Sequence, residues 1–119
     1  MANNRGNTLH EQQYLTTGQF LINQKGVMAI LQEDGNFVMY KEGKALWATG
    51  TNGKNGVNLI MQTDGNVVLY DPKGKAIWAS DSFGKGQQPY WLILQDDQNL
   101  VAYGKGGVPI WATNTHSPN

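Results

Sequence analysis

Three nine-residue stretches repeat the same polar residues at the same spacing. Gln32–Tyr40 reads QEDGNFVMY, Gln62–Tyr70 reads QTDGNVVLY and Gln95–Tyr103 reads QDDQNLVAY, so each is Gln-x-Asp-x-Asn-x-Val-x-Tyr. The side chains of one stretch supply a carboxylate that accepts, two amides that both donate and accept, a phenol and one apolar contact. Such a set suits a neutral, polyhydroxylated ligand. Adjacent sugar hydroxyls each donate and accept, and a small apolar side chain can cover ring C–H groups. No nucleophile stands beside a base, and no carboxylate pair faces across a cleft. His10 and His116, the two histidines, lie near opposite ends in no acid–base pattern and read as solvated. EDGN and TDGN have a faint calcium-loop look, but the EF-hand spacing and its terminal Glu are missing. Asp96 beside Asp97 reads as a solvated turn pair. No enzyme activity, metal or cofactor is expected. A competing account is that Asp and Asn merely cap turns. It serves for any single copy, but leaves Gln and Tyr in all three unexplained.

The middle of each stretch has turn chemistry, with Asp34-Gly35 and Asp64-Gly65 as hairpin signals. A three-residue loop, Thr63-Asp64-Gly65, with glycine in the left-handed position pairs Gln62 with Asn66, Met61 with Val67 and Leu59 with Leu69. Side chains then alternate so that Leu59, Met61, Val67 and Leu69 share one apolar face, and Gln62, Asn66, Val68 and Tyr70 share the other. A two-residue loop would mix the faces, so the hydrophobic pattern selects the longer turn. In the first copy Ala29, Leu31, Phe37 and Met39 turn inward, and in the third Leu92, Leu94, Leu100 and Ala102. The third copy has Gln98 where the others have glycine. A left-handed Gln costs about 1 kcal/mol or more, so a turn of different shape is expected there.

Around each hairpin lies a unit of about 30 residues. The motifs start at 32, 62 and 95, and the larger second interval reflects three extra residues in the loop Asp81–Pro89. Each unit closes on Leu or Ile, Trp, Ala and then Thr or Ser. Units this small cannot bury their own apolar faces, so they must share a core. Trp47, Trp78 and Trp111 are equivalent and are expected at the core's centre, near a pseudo-threefold axis; a stacking platform for sugars or bases is the alternative. Trp91 falls outside this set and is expected to be partly exposed. Ahead of the repeats, Asn7–Leu15 and Gly18–Ile22 could supply two strands, and residues 1–6 read as a loose tail. Short alternating runs among 15 glycines indicate an all-β chain forming one domain over 1–119.

Nine basic residues balance nine acidic ones. The charge gives no reason to expect nucleic acid or anionic membrane as partner. No run of about 20 apolar residues is present, so no membrane span is expected. Cysteine and Asn-x-Ser/Thr acceptors are absent, and MANNRGNTLHEQQ lacks the apolar core of a secretory leader. The expected location is cytoplasmic, or secreted without a signal peptide.

Three intact motifs, each followed by an Ile/Leu-Trp-Ala segment, resemble the monocot mannose-binding lectins, or bulb lectins, from about Asn7 to His116. The resemblance implies the β-prism II fold: three four-stranded antiparallel sheets with pseudo-threefold symmetry, and a calcium-independent mannose site on each. It further implies that Asp and Asn bind the axial 2-hydroxyl, Gln reaches the 3-hydroxyl, Tyr the 4-hydroxyl, and Val packs on the ring. Those roles fall on Gln32, Asp34, Asn36, Val38 and Tyr40; on Gln62, Asp64, Asn66, Val68 and Tyr70; and on Gln95, Asp97, Asn99, Val101 and Tyr103. High-mannose glycans are the implied ligands, and a multivalent agglutinin or defence protein the implied role. Plant members usually carry an internal disulfide, whose positions here match Gly35 and Val57. The family often dimerises by exchanging its C-terminal strand, which Ile110–His116 resembles, so a homodimer is expected. A β-trefoil also has three repeats, but nearer 40 residues each. A protein-binding or antibacterial protein on the same fold, or a self-associating structural protein with vestigial sites, are the alternative functions.

Overall fold

The computed structural model describes residues 3–117 and is built of twelve strands. Three short ones come first: β1 (Thr8–His10), β2 (Tyr14–Thr16) and β3 (Phe20–Ile22). The first unit adds β4 (Val27–Leu31), β5 (Phe37–Lys41) and β6 (Lys44–Ala48). The second adds β7 (Asn58–Met61), β8 (Val67–Tyr70) and β9 (Ala76–Ala79), and the third β10 (Trp91–Leu94), β11 (Leu100–Gly104) and β12 (Val108–Ala112). They form three four-stranded antiparallel sheets in the orders β3-β4-β5-β6, β2-β7-β8-β9 and β1-β10-β11-β12. Each repeat therefore supplies three strands of one sheet, and the N-terminal segment supplies one edge strand to each.

That segment differs from the two strands expected. Leu9, Leu15 and Leu21 recur every six residues and are at most 1% exposed, one in each short strand. Gly6, Gln12 and Gly18 recur with the same period and have φ of 72°, 66° and 88°. Each left-handed residue turns the chain at a corner, and each leucine then enters the core from the next sheet. Gln13 and Gln19 brace the corners by accepting from the His10 and Thr16 N–H groups at 2.8 and 2.9 Å. Asn3–Gly6, expected as loose, runs beside β3, with Phe20 N–H donating to Asn3 O, Arg5 N–H to Phe20 O and Ile22 N–H to Gly6 O at 2.8–3.0 Å. Met1 and Ala2, the start of that expected tail, lie outside the described residues.

The three inner faces share one core. Leu59, Met61, Val67 and Leu69 are at most 1% exposed, as are Ala29, Leu31, Phe37 and Met39, and Leu92, Leu94, Leu100 and Ala102. Burying each Leu, Met or Phe side chain stabilises by about 1.5–3 kcal/mol. Trp47, Trp78 and Trp111 meet edge to face, with ring centroids 5.6–5.7 Å apart. Each such pair adds about 0.5–1.5 kcal/mol to the area buried. These rings close the core rather than lie at its centre: they are only partly buried and pack against it with Leu46 and Ile77.

Gly35 closely approaches Gly56, the residue before Val57. A Cβ at Gly35 would stand 2.7 Å from Gly56 N, and one at Gly56 would stand 2.7 Å from Gly35 O. Gly35 is also left-handed, at φ +84°. Gly35→Ala is therefore expected to cost more than about 2 kcal/mol, from strain plus a backbone clash. Gly74→Ala, at a similar φ of +82° but with open space around it, should cost only about 1 kcal/mol. Urea unfolding of the two variants measures the difference.

Candidate functional site

The motif hairpins have the register that separates the faces. Met61 stands opposite Val67, Ile60 opposite Val68, Leu59 opposite Leu69 and Asn58 opposite Tyr70. Gln62 N–H donates to Asn66 O at 2.9 Å, and Gly65 N–H donates back to Gln62 O at 3.3 Å. The third residue of each turn is left-handed: Gly35 at +84°, Gly65 at +90° and Gln98 at +78°. The expected change of shape at Gln98 does not occur. Its N–H donates to Gln95 O at 3.1 Å, as in the other turns, and its Nε2 donates to Thr115 O at 3.2 Å. That side-chain bond offsets part of the backbone strain.

Within each turn Asp folds over its own loop. Asp34 Oδ1 accepts from Asn36 N–H at 2.9 Å, Asp64 Oδ1 from Asn66 N–H at 2.9 Å and Asp97 Oδ1 from Asn99 N–H at 3.0 Å. The aspartates are exposed, while Gln, Asn and Tyr of each copy are half-buried. Turn capping by Asp is thus present, but it uses one lone pair and leaves the rest of the carboxylate facing outward. Gln joins the far ends of the motif. Gln95 Nε2 donates to both Asp97 carboxylate oxygens at 3.1 Å, and Tyr103 O–H donates to Gln95 Oε1. With its nitrogen toward Asp64, the orientation that satisfies both ends of the amide, Gln62 repeats this: Nε2 reaches Asp64 Oδ1 and Oδ2 at 3.1 and 3.2 Å, and Oε1 accepts from Tyr70. Gln32 hydrogen-bonds the Tyr40 hydroxyl. Gln, Asp and Tyr are therefore a connected set on the middle and third sheets, and Gln and Tyr are joined on the first.

Asn is held by residues that the motif does not contain. Asn66 Oδ1 accepts from Ser80 Oγ at 3.1 Å and from Ser82 N–H at 3.2 Å. Asn36 Oδ1 accepts from Thr49 Oγ1, Gly50 N–H and Thr51 N–H at 3.0, 2.9 and 3.2 Å. Asn99 Oδ1 accepts from Thr113 Oγ1 and Thr115 N–H at 3.1 and 3.3 Å. The second hydroxyl of each pair donates to the carbonyl of the left-handed turn residue: Thr51 to Gly35, Ser82 to Gly65 and Thr115 to Gln98, at 2.8, 2.8 and 2.7 Å. These brackets are Thr49-Gly50-Thr51, Ser80-Asp81-Ser82 and Thr113-Asn114-Thr115, each with a left-handed central residue. In the sequence the brackets show as a recurring Trp-Ala-[Ser/Thr]-x-[Ser/Thr], whose first hydroxyl residue closes each unit and whose second lies beyond it.

With its oxygen engaged, each Asn has its Nδ2 left to donate. Among the described residues no bond from these three Nδ2 atoms occurs. A fixed donor thus lies beside a fixed carboxylate on every sheet. Val38, Val68 and Val101 lie on the outward face as expected, but each is only 3% exposed. They are the floor of the site between cross-strand neighbours, such as Ile60 and Ala79 around Val68. Ile30, Ile60 and Ile93, each beside one of these valines and partly exposed, offer more apolar surface.

The sheets differ one position further out. Opposite Tyr40, Tyr70 and Tyr103 stand Met28, Asn58 and Trp91. Trp91, partly exposed as expected, stacks on Tyr103 with centroids 5.7 Å apart. Asn58 Oδ1 is covered and has no partner, a state that costs about 1–3 kcal/mol. On this middle sheet Gln62, Asp64 and Tyr70 share with Asn58, Ile60 and Tyr14 a groove of about 580 Å³. Among the described residues no group of three or more His, Asp and Glu side chains is arranged to hold a metal ion.

Neither the family models nor the curated proteins compared with the chain match it. Solved structures do. A lectin of Marasmius oreades is 40% identical, with 94% of each chain covered and a TM-score of 0.86. A monomeric monocot mannose-binding lectin of Gastrodia elata is 38% identical over 93% of this chain and 99% of its own, with a TM-score of 0.86. The mannose-specific agglutinin of snowdrop (Galanthus nivalis) bulbs, solved with methyl α-D-mannoside, is 46% identical over 93% and 98%, with a TM-score of 0.78. These neighbours are lectins, sugar-binding proteins and not enzymes. Likeness at this level of identity, over nearly the whole length, is a likeness of family: the chain belongs to the monocot mannose-binding lectins of the β-prism II fold.

Proposed function

We propose that the chain is a calcium-independent mannose-binding lectin with one site on each sheet. The observation that carries this reading is the pinned Asn. Its oxygen is used inside the protein, so its amide N–H groups can only donate outward, beside an Asp that can only accept. One sugar hydroxyl that both donates and accepts is the natural partner of that pair. Gln and Tyr, joined to each other on every sheet and through Gln to Asp64 and Asp97 on two of them, offer their remaining hydrogen-bonding capacity to neighbouring hydroxyls. The Val floor and the adjacent Ile take ring C–H groups. These roles belong to Gln32, Asp34, Asn36, Val38 and Tyr40, and to their counterparts at 62–70 and 95–103. The snowdrop agglutinin, solved with methyl α-D-mannoside, and tarin, solved with trimannose, support mannose as the ligand.

Each site is shallow and hydroxyl-directed, so a dissociation constant of ~1 mM, about −4 kcal/mol, is in keeping with it. The three outer faces point away from a shared core, so one chain can engage separate glycans. Multivalent attachment to a mannan or high-mannose surface can raise apparent affinity by roughly 10² or more. Agglutination and a defence role belong to the same proposal. A homodimer by exchange of Ile110–His116 belongs to the same proposal. Here β12 pairs with β11 of its own chain. Exchange would bring Thr113 and Thr115 with it, so the bracket on Asn99 would come from the partner.

Retention on a mannan column in EDTA, with release by free methyl α-mannoside, is the expected behaviour. Flow-through would remove the lectin reading and favour a protein-binding one. Asn66→Asp should lower mannoside affinity at the middle sheet at least roughly tenfold, because it replaces a donor by a charge beside Asp64. Unchanged shifts in an NMR titration of that sheet would refute the role. Light scattering should give twice the 13.1 kDa chain mass; a monomer would overturn the dimer and leave mannose binding intact.

A further inference from the structure

We infer that the middle sheet carries a second-sugar subsite that the other two lack, so that it reads a mannose disaccharide where they read a single mannose. This rests on the mannose reading of the Gln62–Tyr70 hairpin and deepens it. The outer face of each sheet is a small grid. On the middle sheet, Tyr14, Ile60 and Val68 form one row, and Thr16, Asn58 and Tyr70 the next. On the first sheet the matching rows are Phe20, Ile30, Val38 and Ile22, Met28, Tyr40. On the third they are Thr8, Ile93, Val101 and His10, Trp91, Tyr103. The position beside the tyrosine is thus filled by a thioether on the first sheet and by an indole stacked on Tyr103 on the third. Only the middle sheet places a hydrogen-bonding amide there.

Three observations converge on that position. The groove of about 580 Å³ runs from Asp64 and Gln62 past Tyr70 to Asn58, Ile60, Tyr14 and Gln12. It is more than a single pyranose fills, and it falls within the roughly 300–1,000 Å³ typical of small-ligand clefts. The Asn58 amide is unused: Oδ1 is covered without a partner, and among the described residues Nδ2 has none. Its terminal torsion is broad and roughly two-fold, so a half-turn about it exchanges the two ends of the amide. Tyr14 is 46% exposed, unusually open for a large side chain in this protein, and lines the same groove. An aromatic face beside an amide is the chemistry that holds a pyranose: C–H groups on the ring, hydroxyls on the amide. A sugar linked to the mannose at Asp64 and Asn66 would find both.

The test isolates one sheet at a time. Asn36→Asp with Asn99→Asp leaves the middle site, and Asn66→Asp with Asn99→Asp leaves the first. Each protein is titrated calorimetrically with methyl α-mannoside and with an α-linked mannose disaccharide. On the middle site the disaccharide should bind about tenfold more tightly, beyond the twofold that a second mannose unit gives by counting. On the first site the ratio should stay within about twofold. Adding Asn58→Met, the first-sheet residue, should bring the middle-site ratio down to that level, and so should Tyr14→Ser, an exposed change that keeps the question open if Asn58→Met fails to fold. A middle-site ratio no greater than the first-site ratio overturns the subsite and leaves mannose binding standing, as does a high ratio that survives both substitutions. Failure of both sugars to bind any isolated site overturns the two readings together.

Discussion

A turn of odd length governs this molecule. Because three residues separate Gln62 from Asn66, the strands on either side meet with like faces together. One face is then wholly apolar and enters the common core, and the other carries the motif's polar side chains around a buried valine. An even-numbered loop would place a core residue opposite a site residue in every pair. The turn needs a left-handed third residue, and that residue's carbonyl is what Ser82, Thr51 or Thr115 holds. Those hydroxyls sit just beyond the strands that bring Trp78, Trp47 and Trp111 to the axis. The same few residues therefore anchor the core at one end and the site at the other. Order at the site follows from order in the core.

Much of this could be read from residue types alone. The register came from asking which loop length separates apolar from polar letters, and the twelve inward residues of the hairpins follow from it. The meeting of three tryptophans followed from their equivalence. The features that residue types do not reveal have physical reasons. The Ser/Thr brackets lie 13 to 17 residues from the atoms they hold, a distance set by the return of the fourth strand and not by any local pattern. The six-residue wrap of Leu9, Leu15 and Leu21 is neither the strand's period of two nor the helix's 3.6, so the stretch reads as two strands where the chain makes three. Backbone cost alone predicts a deformed turn at Gln98, but its side chain reaches the Thr115 carbonyl, remote in sequence. The valines were placed on the right face, yet alternation says which way a side chain points and not how closely its neighbours cover it. The roles of the fifteen motif residues in sugar binding rest on their chemistry and on the family.

Pinning Asn by its oxygen has an energetic meaning. A ligand that binds a mobile amide must first restrict it, and that ordering is lost affinity. Here the restriction is made during folding, by bonds within the chain, so a shallow site keeps more of what its hydrogen bonds yield. The Gln–Tyr contact does the same for the other end. The variation from Met28 to Asn58 to Trp91 among the three sheets falls outside the pinned residues.

The N-terminal wrap has a consequence for the order in which the protein is built. β3 pairs with β4, which follows it within a few residues, whereas Thr8 in β1 must wait for Ile93. Chain emerging from a ribosome can thus pair its first sheet early, its second later and its third last. Leu15 and then Leu9 remain uncovered in the interval, and contacts of such long separation are slow to close. Three copies of one hairpin, alike in design, therefore come into being at different times, and the sheet containing the first strand made is the last to be completed.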